Sequence, residues 1–386
     1  MRVLIAAGGT GGHIYPALAV ARSLRARPDA ADVVWLGGHR GLERALVPAA
    51  GFPLRRLAVR SLRSVEMNVH AVFDPLRLAV SVPQAAAILA AERPAAVFTT
   101  GGYVAIPVLL AAAPLGIPVV LWDGNVIPGR AVRATARLAD VLAVSFGATC
   151  AALGRSGPGR PCFVTGTPIR DTREVDRVAA RERLRIAPGE RVLLIFGGSQ
   201  AVRRFNGAVA EALPRLVERV TVIHVTGDER YAAALVDRDA LPADRRVRYQ
   251  PYPFLRDDML IALAAADLIV GRAGSSTLAE VTALALPMVV VPYPHAGGHQ
   301  RANARQLVDA GAARMVEDEA FDAAALLDAA ALLDDPAAHL AMAAAARDLG
   351  RPGAADAVAD LVLAAATRSP LPAPAAIERR ARGIRP

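Results

Sequence analysis

The sequence has no lysine, so all 45 of its basic residues are arginines. A Walker A loop and a Schiff-base enzyme both need a lysine, and the sequence therefore excludes these two kinds of active site. Cysteine is almost as scarce. The two cysteines, Cys150 and Cys162, are too few for a disulfide framework or a zinc site, and we predict small core residues in a reducing cytoplasm.

Aromatic residues and long apolar runs are also scarce. Aromatics make up 4% of a chain that is 54% hydrophobic, so its cores consist mainly of Ala, Val and Leu, which suits helix-covered parallel sheets. The longest apolar stretch, Val104 to Val120, is interrupted by three prolines, and the N-terminal apolar run has no cleavage site after it. We therefore predict neither a transmembrane helix nor a signal peptide.

The formal net charge is +9 and the sequence pI is about 10.5. Because no nucleic-acid motif accompanies this charge, we predict no nucleic-acid partner. The charge favours an anionic membrane surface or phosphorylated substrates.

Short β-like runs alternate with Ala-rich helical runs along the chain, which predicts an α/β fold. The predicted strands are Val3–Ala6, Val33–Leu36, Val97–Thr99, Val119–Leu121, Val141–Val144, Phe163–Thr165, Val192–Phe196, Val220–Val225, Leu268–Val270 and Met288–Val291. The pattern restarts in the middle of the chain. We expect two Rossmann-like parallel-sheet domains facing a cleft, residues 1–165 and 166–350, then a helix over 351–368 that packs back on the first domain, and a disordered tail over 369–386.

The turn from Gly8 to His13, GGTGGH, follows the first predicted strand and precedes a helical pattern. Glycine allows positive φ and close backbone approach, so the turn suits a phosphate at a helix start. The dinucleotide spacing fails, because Ile14 stands where a third glycine is needed and the second strand ends in Gly37-Gly38 instead of an acid. His13 can move a proton near neutral pH. The alternative is a tight structural turn with a capping histidine.

Two further polar loops follow strands of the first half. Thr99-Thr100-Gly101-Gly102-Tyr103 repeats the strand-glycine-helix pattern, and two such loops on one sheet suit two phosphates. Trp122-Asp123-Gly124-Asn125 presents a carboxylate and an amide at the same edge. Asp123 is a candidate to share a proton with His13, or to cap the helical run that starts near Arg130.

The second half carries another predicted anion site, Gly271-Arg272-Ala273-Gly274-Ser275-Ser276-Thr277-Leu278-Ala279-Glu280. Small residues with hydroxyls begin a helix there, and Glu280 lies one to two turns further, where it could accept hydrogen bonds from ribose. Gln300 and Asn303 share a helix face, and their amides suit the hydroxyls of a neutral sugar. The loop Gly197-Gly198-Ser199-Gln200 repeats the strand-glycine-helix pattern.

Residues 55–78 interleave arginines with apolar side chains, as an interfacial membrane segment does. The alternative is a core helix with a solvated face and a connecting loop. The arginines are Arg55, Arg56, Arg60, Arg63 and Arg77.

These loops, in this order, resemble the MurG family of N-acetylglucosaminyltransferases, which convert undecaprenyl-pyrophosphoryl-MurNAc-pentapeptide (lipid I) into lipid II. The resemblance covers about residues 1 to 320. It implies a GT-B architecture, with the sugar nucleotide on the second domain and the lipid-linked acceptor facing the first. Where the family usually has His-Glu-Gln-Asn, this chain has Trp122-Asp123-Gly124-Asn125, so the carboxylate is one methylene shorter.

The resemblance implies a role for each matching residue. The expected donor-binding residues are Arg170, Ser199, Leu255, Ser275, Ser276, Thr277, Glu280, Gln300 and Asn303. The expected acceptor-binding residues are Thr10, Gly11, Gly12, Gly101, Gly102, Tyr103 and Asn125. Of the two candidate catalytic bases, His13 is preferred because a helix N-terminus disfavours its charged form, and Asp123 is second.

The implied reaction is an inverting transfer from UDP-GlcNAc to lipid I in peptidoglycan synthesis, with no metal or other cofactor. The implied partners are UDP-GlcNAc, the lipid-linked acceptor, an anionic membrane surface and other cell-wall synthesis proteins, and the implied location is the cytoplasmic face of the cell membrane. The alternatives are a related transferase with another lipid acceptor, a UDP-GlcNAc epimerase, a nicotinamide oxidoreductase and a non-catalytic nucleotide-binding module.

Overall fold

The computed structural model describes residues 1–39, 41–59, 70–155, 161–197, 203–255, 258–295 and 297–384, with residues 70–79 described by their backbone alone. Contacts divide the chain into two compact units. Unit 1 comprises residues 1–171 together with 351–386, and unit 2 comprises residues 172–350.

Unit 1 is built on a parallel sheet with the strand order β3-β2-β1-β4-β5-β6-β7. Its strands are β1 Arg2–Ala6, β2 Asp32–Gly38, β3 Leu54–Leu57, β4 Ala96–Thr99, β5 Val119–Asp123, β6 Val141–Val144 and β7 Cys162–Val164. The central strands read as near-continuous apolar runs because helices cover both of their faces. The order places β1, β4 and β5 side by side, so the loops after them share one edge of the sheet.

The helices of unit 1 form two layers. They are α1 Gly11–Arg25, α2 Glu43–Ala49, α3 His70–Glu92, α4 Ala105–Ala112, α5 Arg130–Thr135 and α6 Gly147–Ala152, followed after unit 2 by α15 Ala354–Thr367 and α16 Pro374–Ala381. One core lies between the sheet and α1, α15 and α16, and a second lies between the opposite face and α3 and α4. No helix among the described residues is long and apolar enough to cross a membrane.

Unit 2 repeats the plan with the strand order β10-β9-β8-β11-β12-β13, again parallel. Its strands are β8 Val192–Phe196, β9 Thr221–Val225, β10 Tyr249–Tyr252, β11 Leu268–Gly271, β12 Met288–Val290 and β13 Ala313–Met315. Its helices are α7 Arg177–Arg183, α8 Arg203–Leu216, α9 Asp228–Asp239, α10 Met259–Ala265, α11 Ser275–Ala283, α12 His299–Asp309, α13 Ala323–Ala331 and α14 Pro336–Leu349. The predicted class, two Rossmann-like parallel sheets covered by helices, is confirmed.

The C-terminal segment packs on unit 1. Helix α15 lies against α1, and its Val358, Leu361 and Val362 are fully buried in the core there. The end of the chain is helical where the sequence predicts a disordered tail, because α16 starts at a proline and buries Ile377 and Ala381 against the same core. The apolar side of this short helix is buried against the core of unit 1, and a disordered tail would have no such buried side.

The two cysteines form a disulfide, Cys150–Cys162, which links α6 to β7. The prediction of two small unpaired core residues is therefore wrong. The sequence does not reveal the pair, because the bond depends on β7 pairing with β6 and so bringing Cys162 next to the helix that follows β6.

Candidate active site

The glycine turn of unit 1 presents the start of α1. Gly9 has φ of +96°, a conformation that favours glycine. Thr10 is the N-cap residue, yet its side chain makes no capping hydrogen bond, and the first turn of α1 carries no acidic residue. The N–H groups of Gly11 and Gly12 have no partner within the helix. An anion can therefore be received at this helix start.

His13 lies in the first turn of α1 and bonds with the neighbouring loop. Its Nδ1 is 2.8 Å from the carbonyl oxygen of Thr100, and the hydroxyl of Thr100 donates to the carbonyl of His13 at 3.0 Å. Since a carbonyl only accepts, Nδ1 carries the hydrogen, and in the neutral ring Nε2 carries the lone pair. The hydrogen bond thus selects the tautomer that a base acting through Nε2 requires.

The loop after β4 is the second predicted phosphate loop. Gly101 and Gly102 have φ of +79° and +76°. A Cβ on Gly102 would lie 3.6 Å from Nε2 of His13, so this loop borders the imidazole ring. The predicted proximity of the two glycine loops on one sheet is therefore observed, although whether they bind phosphates stays a prediction.

Tyr103 is predicted to bind the acceptor, but its hydroxyl donates to the carboxylate of Glu43 at 3.2 Å. Burial, with the nearby Glu43 as a second cause, raises the pKa of Tyr103 well above its usual value, so the phenol keeps its proton. Its ring lies against the turn, since a Cβ on Gly9 would come within 3.0 Å of the ring. Tyr103 therefore packs against the glycine turn and bonds with Glu43, which in turn bonds with Gly9.

Glu43 was not predicted from the sequence. It is the first residue of α2, it is fully buried, and it accepts hydrogen bonds from the N–H groups of Gly9 and Gly38, each at 2.9 Å. Three donors therefore meet one carboxylate. The sequence contains one signal for this residue. Gly37-Gly38 stand where a dinucleotide-binding fold has an acid at the end of its second strand, and these glycines leave room for the carboxylate of Glu43 from the following helix.

Asp123 ends β5 and is 5% exposed. Its Oδ1 accepts a hydrogen bond from the N–H of Asn125 at 3.0 Å, and Thr149 donates to the carbonyl of Asn125. The capping alternative is wrong, because the N-cap of α5 is Gly129. Asp123 shapes the loop that contains Asn125, and this loop shares its edge of the sheet with the loop that leads into the helix of His13.

In unit 2 the predicted anion site is the start of α11. The N-cap is Gly274, no side chain caps the helix, and the first turn has no acidic residue. Ser275, Ser276 and Thr277 supply its first N–H groups. The hydroxyl of Ser276 is buried and has no hydrogen-bond partner within the described part of unit 2. A ligand oxygen at this helix start would satisfy it.

Gln300 connects the two loops around this helix start. Its Oε1 accepts from the N–H of Ala273 at 3.2 Å and from the N–H of Tyr293 at 2.9 Å. With the oxygen occupied in this way, the amide NH₂ is the group that Gln300 can offer to a sugar.

Arg272 also holds the loop after β12. It is buried, donates to the carbonyls of Val291 and Pro292, forms an ion pair with Asp318, and its guanidinium lies 5.4 Å from the ring centre of Tyr293. This arginine of the motif therefore stabilises the loops around α11.

The remaining predicted donor residues differ in accessibility. Glu280 is half-buried on α11, whereas Asn303 is fully buried on α12 and Leu255 is 8% exposed in the core of unit 2. The side chains of Asn303 and Leu255 are therefore buried within unit 2. Arg170 belongs to unit 1, and Ser199 lies outside the described residues.

Asn206 is a second polar residue that was not predicted. It lies on α8, is 5% exposed, and its Nδ2 donates to the carbonyl of Thr226 at 3.0 Å. Its Oδ1 is buried without a hydrogen-bond partner in the described ranges. The sequence signal is an asparagine inside an amphipathic helix directly after a glycine loop.

The predicted interfacial segment is described only in part. Arg55 and Arg56 are exposed on edge strand β3, and Arg55 forms an ion pair of 2.7 Å with Glu92, which satisfies its charge within unit 1. Arg60 and Arg63 lie outside the described residues, as does the side chain of Arg77. In the described ranges, no three His, Cys, Asp or Glu residues cluster so that they could hold a metal ion.

Comparison with protein families gives two matches. Residues 3–144 match the glycosyltransferase family 28 N-terminal domain, and residues 192–361 match the glycosyltransferase family 28 C-terminal domain.

Curated relatives match most of the chain. A "UDP-N-acetylglucosamine--N-acetylmuramyl-(pentapeptide) pyrophosphoryl-undecaprenol N-acetylglucosamine transferase" of Moorella thermoacetica is 39% identical over 374 residues, which are 94% of this chain and 98% of the relative. A protein of the same name from Exiguobacterium sp. is 38% identical over 94% of this chain and 99% of its own length.

Solved structures of similar fold include a member of the same family. The crystal structure of Acinetobacter baumannii MurG matches with a TM-score of 0.74 and 29% identity over 94% of this chain and 99% of that one. A putative UDP-N-acetylglucosamine 2-epimerase from Listeria monocytogenes matches with a TM-score of 0.68 at 14% identity, over 96% and 98% of the two chains, which is a likeness of fold alone.

Proposed function

The chain belongs to the MurG family within glycosyltransferase family 28, and we propose that it transfers N-acetylglucosamine from UDP-GlcNAc to the MurNAc of undecaprenyl-pyrophosphoryl-MurNAc-pentapeptide. The observation that carries this proposal is the 39% identity to a transferase of that name across 94% of the chain. The fold alone would equally suit an epimerase, so the sequence relatives decide between the two activities.

UDP-GlcNAc binds unit 2, with its diphosphate at the start of α11. The uncapped N–H groups there, the buried hydroxyl of Ser276 and the absence of an acid in the first turn all favour an anion. The carboxylate of Glu280 accepts hydrogen bonds from the ribose hydroxyls, and the amide NH₂ of Gln300 donates a hydrogen bond to the sugar. The amide oxygen of Gln300 keeps the two surrounding loops in place.

The leaving group is stabilised by the same helix start. When the bond between the anomeric carbon and the diphosphate breaks, negative charge grows on UDP. Backbone N–H groups and hydroxyls that are already oriented oppose this charge without having to reorganise. The chemistry proceeds by direct displacement, so the configuration at the anomeric carbon is inverted.

The lipid-linked acceptor binds unit 1. Its pyrophosphate faces the N–H groups at the start of α1, and the loop containing Gly101 and Gly102 borders the same place. Asn125 lies on a neighbouring loop of the same sheet edge. In this arrangement the acceptor lies beside the imidazole of His13.

His13 is the general base. Its Nδ1–H is held by the carbonyl of Thr100, so Nε2 accepts the proton from the acceptor hydroxyl as that oxygen attacks the sugar. The proton moves to Nε2, the new C–O bond forms, and UDP leaves with the electron pair of the broken bond. Asp123 is the alternative base, and its hydrogen bond to the N–H of Asn125 favours a role in shaping the loop.

The transferase acts at the cytoplasmic face of the cell membrane as a peripheral protein. The net charge of +9 and the exposed Arg56 on β3 favour an anionic lipid surface. Residues 55–78 supply the contact, in part through Arg60 and Arg63.

An assay of UDP release tests the function. Purified protein is incubated with UDP-GlcNAc, with and without a soluble lipid I analogue. We expect UDP release that depends on the acceptor. UDP release that is equally fast without the acceptor would refute transfer to lipid I.

A further inference from the structure

Glu43 is a buried carboxylate that the mechanism above does not use. Its side chain is fully buried, and its two oxygens accept three hydrogen bonds, from the N–H of Gly9, the N–H of Gly38 and the hydroxyl of Tyr103. All three partners donate, so the ionised carboxylate is the form that satisfies them. Leu42, its neighbour, donates its N–H to the carbonyl of Gly9 at 3.4 Å.

Glu43 and Tyr103 pack closely against glycines of the surrounding loops. A Cβ on Gly8 would come within 2.8 Å of Oε1 of Glu43, and a Cβ on Gly37 within 2.8 Å of its Cγ. A Cβ on Gly38 would come within 2.6 Å of the Tyr103 hydroxyl. A side chain at Gly8, Gly37 or Gly38 would therefore displace Glu43 or Tyr103 from its present position.

This geometry changes which N–H groups are available to an anion. The N–H of Gly9 points to Glu43, and a second negative charge placed beside that carboxylate would be repelled. The N–H groups of Gly11 and Gly12, at the start of the 15-residue helix α1, have no such acceptor within the helix. The acceptor pyrophosphate is therefore directed past the turn to the helix.

We propose that Glu43 is a positioning residue for acceptor binding: it holds the turn from Gly8 to Thr10 through Gly9, Gly38 and Tyr103, so that the start of α1 faces the acceptor pyrophosphate. The proposal rests on the proposed function for the identity of the acceptor. The hydrogen bonds and the glycine packing support the positioning role independently of that identity.

Two substitutions separate the charge of the Glu43 side chain from its length. Glu43→Gln keeps the size but places an NH₂ group against the N–H of Gly9 or of Gly38, so two donors face each other. Glu43→Asp keeps the charge but is one methylene too short to reach both loops. Arg44→Gln, an exposed position on the same helix, is the matched control.

Each variant is assayed for the KM of a soluble lipid I analogue, the KM of UDP-GlcNAc, the melting temperature, and the binding of a short-chain prenyl pyrophosphate by calorimetry. For Glu43→Gln and Glu43→Asp we expect the acceptor KM and the pyrophosphate Kd to rise at least tenfold, as the loss of a charged hydrogen bond does. We expect the KM of UDP-GlcNAc to stay within twofold. Arg44→Gln should behave like the wild type.

An unchanged acceptor KM and pyrophosphate Kd in Glu43→Gln would overturn the proposal, as would equal rises in both KM values together with a lower melting temperature. If Glu43→Gln does not fold, Tyr103→Phe removes one of the three donors, and a rise of about threefold in the acceptor KM alone is expected. No change there would also overturn it. If the wild-type protein binds the prenyl pyrophosphate but transfers no sugar, the proposed function is refuted, and the Kd values of the Glu43 variants still test the positioning role. If the wild-type protein does not bind the prenyl pyrophosphate, the positioning role is refuted.

Discussion

Replacing His13 by asparagine separates the two tasks that the structure gives to its imidazole ring. The ring holds the neighbouring loop through Nδ1, which is 2.8 Å from the carbonyl of Thr100, and it offers Nε2 as a base. An asparagine amide can donate to the same carbonyl from nearly the same place, but it has no counterpart of Nε2. His13→Asn therefore keeps the structural bond and removes the base, whereas His13→Ala removes both.

The expected size of each effect follows from these contacts. A positioned general base contributes about 10²- to 10⁴-fold to the rate, so both variants should lose kcat by that amount. His13→Ala also leaves a partly buried carbonyl without its donor, which costs about 1 kcal/mol and lowers the melting temperature of unit 1 by about 2–4 °C. His13→Asn should melt close to the wild type.

The assay measures kcat from UDP release at saturating UDP-GlcNAc and saturating lipid I analogue, and melting by differential scanning calorimetry. A His13→Asn protein that keeps kcat within threefold of the wild type would show that His13 is not the base. The same loss of kcat in Asp123→Asn, with normal activity in His13→Asn, would assign the role to Asp123 instead.

Further predictions concern the donor, stability and the membrane. Gln300→Glu keeps the oxygen that bonds two loops but loses the amide donor, so the KM of UDP-GlcNAc should rise about tenfold with unchanged melting, and an unchanged KM would limit this residue to a structural role. Glu280→Ala should raise the same KM about tenfold, and no rise would contradict the ribose contact. Burial lowers the pKa of His224 to about 3, so between about pH 6.5 and pH 3 the unfolded chain binds a proton that the folded chain does not. Relative to His224→Asn, the wild-type unfolding free energy should therefore fall by about 1.4 kcal/mol for each pH unit of acidification in that window, and parallel pH curves would refute it. Liposome binding should weaken with salt and with Arg60→Ser plus Arg63→Ser, and salt-independent binding would count against the arginine contact.

The sequence predicts the central strands and the glycine loops because their signals are local. Each central strand is a run of buried apolar residues, and each loop follows directly. Three of the four edge strands, β3, β10 and β13, are not predicted from the sequence, since they are short and partly polar: β3 reads Leu-Arg-Arg-Leu and exposes both arginines. An edge strand needs a partner on one side only, so its pattern is weak.

The candidate site was predictable in its loops but not in its internal contacts. Glu43 bonds with Gly9 and Tyr103, which are 34 and 60 residues away, and no local pattern reports such a contact. The same limit applies to Cys150 and Cys162, whose pairing depends on the register of two strands. Asn303 shares a helix with Gln300 as predicted, but burial in the folded unit removes its side chain from the surface.

The central claim is that N-acetylglucosamine moves from UDP-GlcNAc to the acceptor, and the product itself tests it. Protein is incubated with labelled UDP-GlcNAc and a soluble lipid I analogue, and the product is isolated and examined by mass spectrometry and by the anomeric proton signal. The account predicts one product that is heavier by one N-acetylhexosamine and carries a β-linkage. An acceptor that stays unmodified while UDP-GlcNAc is converted into its 2-epimer or hydrolysed would contradict it.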